Sequence, residues 1–501
     1  MSGRFEWLRL RPNLDVARIV AVWAAWLVIL CAFQAIVAMR IEPKRPDAVL
    51  AWTPSFTQSS TSSSAGSGCH PRLSDPTMNE HVSFDSEYYI SIAVAGYDDP
   101  QASAYVWSGY NVAIQGVPAC TPGMVGHYTP LNFAFMPGYP MTMKGVAAVA
   151  SVIPGLSGMS EDGLATIAGI LVSALGGLLA MLALARLMAH LERTRKTMAR
   201  TNGAGAASGP GGSSGPGDGA EPAPGASADT PNPWGGSLGL RAAIYLLIFP
   251  TGFYLAQVYT EGLFLGLAFM ACAMAVEKRL LAGALFAIAA ALTRQVGVFL
   301  FIPLAWSAYE VLRDEESRGE DLRFRVPVFA TVAPLVTFVV WYLSPLGRSW
   351  QTVESQYFGR SYDPIGSLDL WWKALWSVIS GTDKSGIPLP YAPYGGGQLA
   401  TSTSVYLCLE LAALALAVVA GIWLWRQRMR SVALFGFAVI LLSAGSSSGQ
   451  GMIRYILAVP AIFLMLAWLG RHPIFDRVWT MASTLLMGML AMLFTFGFWV
   501  A

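Results

Sequence analysis

Ala17-Arg18-Ile19-Val20-Ala21-Val22-Trp23-Ala24-Ala25-Trp26-Leu27-Val28-Ile29-Leu30-Cys31-Ala32-Phe33-Gln34-Ala35-Ile36-Val37-Ala38-Met39 is apolar throughout except for Arg18 and Gln34. Runs of about 18 or more apolar residues are long enough for a helix to cross the hydrocarbon of a bilayer. This one is too long for the apolar core of a cleavable leader and no cleavage pattern follows it, so it is expected to remain attached as a first spanning helix. Similar runs recur along the 501 residues, of which 54% are hydrophobic and only 12% charged, and the mean hydropathy is +0.49. A soluble chain carries about 25% charged residues. The expected class is therefore an all-α polytopic membrane protein. A formal net charge of +2 gives no reason to expect a nucleic-acid partner.

Length and hydropathy place spans near 17–39, 164–188, 237–257, 262–277, 280–293, 296–312, 326–345, 402–425, 431–446, 452–470 and 478–500, about 11 in all. Basic clusters then set the orientation. Arg4, Arg9 and Arg11; Arg193, Arg195, Lys196 and Arg200; Lys278 and Arg279; Arg313, Arg318, Arg323 and Arg325; Arg426, Arg428 and Arg430; and Arg471 and Arg477 all fall on one side of this arrangement. The positive-inside rule makes that side cytoplasmic, together with the N-terminus. A loop over 40–163 then lies outside, as does a second over 346–401. Residues 131–153 are apolar enough to be counted as a span, but Met136-Pro137-Gly138-Tyr139-Pro140 and Lys144 interrupt them. Counting them would put Arg193–Arg200 outside, which favours a helix in the outer interface over a kinked spanning helix.

The expected organisation is a membrane core over 1–345, the 346–401 loop, and C-terminal membrane helices over 402–501. Residues 201–233 are almost wholly Gly, Ala, Ser, Pro, Asp and Asn and read as a disordered cytoplasmic linker. Trp350, Tyr357, Trp371, Trp372 and Trp376 in the second loop fit either an interfacial aromatic belt or a sugar site. Of the five cysteines, Cys31, Cys272 and Cys408 fall in spans as small buried thiols. Cys69 and Cys120 share the outside loop, where oxidising conditions favour a disulfide. No Cys/His spacing resembles a zinc site, and His81 and His127 read as polar loop residues.

The chemistry-bearing stretch is Phe84-Asp85-Ser86-Glu87-Tyr88-Tyr89, which puts two carboxylates among aromatics in a loop far longer than most connections. Glycosyl transfer to a hydroxyl needs a base for the departing proton and cations for the departing phosphate. Tyr259-Thr260-Glu261, Thr293-Arg294-Gln295 and Arg454-Tyr455 place an acid and two guanidiniums at the outer ends of spans. Ionisable groups beside lipid are functional candidates, and guanidinium suits phosphate. The bland alternative for either Arg is interfacial snorkelling.

Phe84–Ala93 followed by Ala95-Gly96-Tyr97, and then Phe135-Met136-Pro137-Gly138-Tyr139-Pro140, resembles the phosphatidylinositol-glycan class V (PIG-V-like) mannosyltransferase family. Phe249-Pro250 with Tyr254, Tyr259-Thr260-Glu261-Gly262-Leu263-Phe264, Thr293-Arg294-Gln295-Val296-Gly297, Gln356-Tyr357-Phe358-Gly359-Arg360, and Arg454-Tyr455 with Pro460 continue the likeness in the family's order. Phe84 stands where the family has Trp, and Met136 and Gly138 depart from its Phe-Phe-Pro-x-Tyr-Pro block. The resemblance implies a GT-C glycosyltransferase fold and inverting transfer of a hexose, mannose in the family, from a polyprenyl-phosphate carrier without a bound metal. It implies Asp85 as general base and Glu261 as a second acid, with Glu87 auxiliary. Arg294 and Arg454 are expected to meet the donor phosphate, and Tyr88, Tyr89, Tyr139, Tyr259, Gln356 and Arg360 to line the substrate site. The acceptor is a glycolipid, polysaccharide or protein hydroxyl. Abundant Arg and Ala lean towards a bacterial plasma membrane. A lipid-linked-sugar transporter or flippase and a non-catalytic membrane scaffold are the alternatives.

Overall fold

The structure, a computed structural model, describes residues 14–40, 78–98, 103–107, 110–111, 127–207, 236–318, 325–356, 360, 362–382, 401–446, 451–496 and 500. Helix dominates them, as the apolar periodicity requires. Among the described residues, five helices are long and apolar enough to cross a bilayer, covering Asp15–Met39, Glu161–Ala199, Gln295–Asp314, Ser404–Arg426 and Pro473–Thr495. A sixth candidate is a broken span, Met452–Ala458 and Pro460–Leu469, bent by 85°. The other expected spans are shorter apolar helices: Gly236–Leu247, Glu261–Val276, Leu280–Thr293, Ala333–Leu343 and Arg430–Ala444. Several end where the sequence changes backbone state. The expected 237–257 span stops at Leu247 and resumes as a 3-10 segment, Gly252–Ala256. The 326–345 span divides into Arg325–Ala330 and Ala333–Leu343.

The architectural centre is the pairing of the 47-residue helix Glu161–Ala207 with Glu261–Val276. Small residues make this close crossing possible: a Cβ on Gly266 would lie 2.5 Å from the Gly176 carbonyl, and one on Gly262 would strike the Ser173 carbonyl. Gly262 and Gly266 stand four apart in an apolar helix, the spacing that lets helix backbones approach in lipid. Ser173 Oγ donates to the Tyr259 carbonyl across the same contact at 2.6 Å. The first spanning helix joins the long helix through Trp23 Nε1, which donates to the Ala174 carbonyl at 2.9 Å.

The long loop is structured where it is described. It holds the helix Ser86–Val94, a three-stranded antiparallel sheet (Ser103–Trp107 between Tyr110–Asn111 and His127–Pro130) and the helix Gly138–Ala150. The sheet is confined to the long loop, and the helical class expected from the sequence stands. Buried polar tethers fasten the loop to the bundle. Gln34 in the first span donates to the Glu80 carbonyl at 3.0 Å, and Ser83 Oγ donates to the Phe494 carbonyl at 3.0 Å. His81 contacts the Ala256 carbonyl through Nδ1 at 3.0 Å, and since a carbonyl only accepts, Nδ1 carries the proton. Burial pushes this imidazole below its ordinary pKa against the pull of Glu80, so His81 is a neutral structural donor.

Two expectations change at the periphery. Residues 201–207 continue the long helix, where a linker was expected from 201, and 208–233 lie outside the described residues. Cys69 and Cys120 also lie outside them. Cys31, Cys272 and Cys408 are free, but only Cys272 is buried; Cys408 is on the outside of its helix. Residues of a lipid-facing helix are apolar on both faces, so hydropathy does not tell inside from outside.

Candidate functional site

Asp85 directly precedes the helix Ser86–Val94, where an Asp side chain ordinarily caps the first turn. Here it makes no cap hydrogen bond. Phe84 before it has a left-handed φ of 55°, an uncommon conformation for a bulky residue. The carboxylate instead reaches across the molecule: Arg454 Nη1 donates to Asp85 Oδ2 at 3.2 Å.

Arg454 is presented by the break in the bent span. Gly451, with φ 79°, turns the chain into the short helix Met452–Tyr455. The fully buried Glu410 accepts from Gly451 N at 2.9 Å through one oxygen and from Ile453 N at 3.0 Å through the other. Two backbone donors at the start of the short helix are thereby satisfied. Substituting Glu410→Gln removes one acceptor and the charge. It is expected to lower the melting temperature by several degrees and to impair function through displaced Arg454, while Glu410→Asp recovers part of both. Unchanged melting and activity in Glu410→Gln would remove this anchoring role.

Glu261 begins its helix and is buried, with its carboxylate between two guanidiniums. Arg294 donates to Oε1, and Arg454 Nε lies 3.5 Å from the same oxygen. Glu261 Oε2 has no hydrogen-bond partner among the described residues. Arg294 occupies an extended joint between Leu280–Thr293 and the 3-10 segment Gln295–Leu300. The Met136-Pro137-Gly138 turn docks on this joint, since a Cβ on Gly138 would lie 2.7 Å from the Leu292 carbonyl. That contact explains why a glycine sits in the block and brings Met136 to the cavity wall. Tyr455 lies among three guanidiniums, with the carbons of Arg454, Arg294 and Arg360 at 5.2, 5.5 and 6.0 Å from its ring centroid.

These groups converge on one cavity of about 80 Å³, lined by Asp85, Tyr89, Thr260, Glu261, Arg294, Glu354, Arg360 and Arg454, with Phe135, Met136 and Trp350 on its walls. The Asp85 and Arg294 side chains are 18% and 20% exposed, against 1% for Glu261 and 4% for Arg454. Asp85 and Arg294 are thus the pair accessible to a substrate, while Glu261 and Arg454 hold them from beneath. Beside it lies a second cavity of about 550 Å³ that shares Arg294, Gln295, Trp350, Glu354 and Arg360 with it and adds Phe338, Tyr342, Tyr362 and Tyr455.

Asp85, Glu261, Arg294, Arg454, Tyr89 and Arg360 are therefore brought together. Tyr88, Tyr139 and Tyr259, expected to line the substrate site, pack behind it instead. Tyr88 stacks on Phe135 at 4.8 Å, Tyr139 donates to the Gly169 carbonyl at 2.9 Å, and Tyr259 donates to the Ser83 carbonyl at 2.9 Å. Their rings secure the loop against the bundle. The side chains of Glu87 and Gln356 lie outside the described residues. Sequence reasoning passed over Glu354 and Glu410, and it named Trp350 and Tyr455 without assigning them to this cavity. Glu354 carried a signal, as an acid a few residues ahead of the Gln356–Arg360 block.

No family model matches the chain, and no curated protein matches it either.

Proposed function

We propose that this membrane protein is an inverting glycosyltransferase of the GT-C type and PIG-V-like family, moving a hexose, mannose by resemblance, from a polyprenyl-phosphate carrier to an acceptor hydroxyl at the extracytoplasmic face. The observation that carries the proposal is the convergence of Asp85, Glu261, Arg294, Arg360 and Arg454, far apart in sequence, on one cavity. The topology belonging to this reading has the N-terminus cytoplasmic in a bacterial plasma membrane, about 11 membrane segments once the short apolar helices are counted, and Gly138–Ala150 in the outer interface.

In this mechanism Asp85 takes the proton of the acceptor hydroxyl as its oxygen bonds to the anomeric carbon. The bond from that carbon to the phosphate oxygen breaks, and polyprenyl phosphate departs with the electron pair. Arg294 meets the charge that accumulates on the phosphate, Arg454 adds its own charge from beneath, and the cavity fixes the geometry before reaction. Positive charge at the donor is supplied by guanidiniums. The cavity of about 80 Å³ has room for only a few waters, so the sugar occupies its junction with the cavity of about 550 Å³.

Charge balance gives Glu354 a part. With every group ionised, the cavity holds Asp85, Glu261 and Glu354 against Arg294, Arg360 and Arg454. Burial pushes the Glu354 carboxyl above the usual range, the Asp85 charge adds to the rise, and Arg360, 3.8 Å away, opposes it. A protonated Glu354 leaves Arg360 free for an incoming phosphate; as pH rises through the raised pKa, the carboxylate forms and competes for it. Donor affinity is therefore expected to weaken as pH rises through that raised pKa, and Glu354→Gln to flatten that dependence. The donor KM against pH measures this, and identical profiles for wild type and variant would exclude Glu354.

The bent span also favours a second reading, since broken helices with buried charge build transporter sites. Purified protein given a polyprenyl-phosphate hexose distinguishes the two. Release of polyprenyl phosphate with a new glycosidic bond supports the transferase; movement of the intact lipid without bond cleavage supports the transporter.

A further inference from the structure

A second charged cavity lies at the other end of the bundle. Glu261, at the start of its helix, faces the acid cavity; Val276, at its end, lines a cavity of about 950 Å³. The 16 residues between span roughly 24 Å, close to the ~30 Å of bilayer hydrocarbon. This cavity is lined by Arg186, Arg193, Lys278, Arg279 and Arg428, with His190 and the single acid Glu277.

The charges divide into two sets. Arg186 grips Glu277 with two hydrogen bonds, of 2.9 and 2.5 Å, and Lys278 pairs with Glu310. Arg193, Arg279 and Arg428 pair with no carboxylate among the described residues, although all three line the same space. Lys278 and Arg428 have left-handed φ values of 62° and 68° in two separate interhelical turns, at positions where glycine would be the unstrained choice. Cations thus stand at two strained turns that meet at one cavity. Val276 and Met198 on its wall supply apolar surface beside the charge. The mouth lies where the long helix leaves its apolar stretch for Glu192, Arg193, Arg195 and Lys196.

We propose that this cavity binds a phosphate-bearing anionic headgroup, with Arg193, Arg279 and Arg428 as its ligands. Guanidinium forks match phosphate oxygens in pairs, and all three side chains are exposed around one concavity, open to a ligand. The position at a bilayer boundary with apolar wall residues fits a lipid-borne phosphate, whose acyl chains remain in the hydrocarbon. The site is independent of the acid cavity and does not depend on the proposed transferase activity.

The test uses the full chain in phosphatidylcholine nanodiscs doped with phosphatidylglycerol, with the lipids retained on the protein read by native mass spectrometry. Wild type is expected to enrich phosphatidylglycerol, and Arg193→Gln/Arg279→Gln/Arg428→Gln to lose roughly ten- to hundredfold of that preference. The corresponding Arg→Lys triple, which keeps the charge and guards against misfolding, should lose less. Arg471→Gln/Arg477→Gln, at the same end but outside the cavity, should behave as wild type. Inorganic phosphate that fails to displace the lipid supports a lipid-borne ligand; displacement by phosphate supports the same anion site with a soluble source. Equal enrichment by wild type and the Gln triple, or an equal loss in the Arg471/Arg477 control, overturns the proposal.

Discussion

Asp85→Asn is expected to lower sugar transfer by about 10²–10⁴-fold, the range for removing a general base, while the protein continues to fold. The amide fills the same space but cannot take the acceptor proton. Arg454 loses one carboxylate partner and keeps Glu261, 3.5 Å from its Nε, so the buried guanidinium is not left alone. Turnover by the purified variant, read beside its thermal melt, separates the two effects. Wild-type turnover in a folded Asp85→Asn protein would end the base assignment. Glu87→Gln should do less harm, because Glu87 is assigned only an auxiliary role.

Substitutions at Arg454 and Arg294 should diverge, although both contact Glu261. Arg454 is almost wholly buried between Asp85 and Glu261. Arg454→Ala would take from Asp85 its Arg454 partner and leave Glu261 with Arg294 alone, and breaking a buried pair costs about 3–5 kcal/mol. Its main readout is therefore stability. Arg454→Lys keeps a charge but loses the planar fork, and transfer should fall with the fold retained. Arg294→Ala leaves Glu261 its Arg454 contact and opens the more accessible face of the site. There the expected loss is in the donor: a raised KM for the polyprenyl-phosphate sugar, with Arg294→Lys intermediate. Donor KM values matching wild type in Arg294→Ala and Arg454→Lys, with both proteins folded, would mean the phosphate is held elsewhere.

Part of this site is legible in the linear chain. Asp85, Glu261, Arg294 and Arg454 stand out because each is ionisable and adjoins an apolar run, where charge is costly and seldom retained without a use. Glu410 shows the limit of that reasoning. It lies inside an apolar span, yet its partners are backbone N–H groups at the start of a short helix some forty residues later, so nothing beside it in sequence reveals them. Tyr88, Tyr139 and Tyr259 show the converse. They adjoin the motif residues, but a helix turns successive side chains about 100° apart, so neighbours of a site residue face the packing behind it.

Composition and apolar run length alone determined that the chain belongs in a membrane and is built mainly of helices, because hydrocarbon leaves a backbone few other ways to satisfy its polar groups. Whether an apolar run forms one straight span or a short helix and a joint was decided only by the tertiary structure. At the extended joint of Arg294 and the 85° bend beyond Arg454, the local chain departs from straight helix. Distant groups hold the segments beside them: Glu410 accepts the backbone donors that open the short helix before the bend, and Gly138 lets the loop dock against the Arg294 joint. The convergence of three carboxylates and three guanidiniums on one cavity is likewise tertiary. Charge attraction acts through space with no memory of sequence separation, so which acid meets which guanidinium follows from how the helices pack.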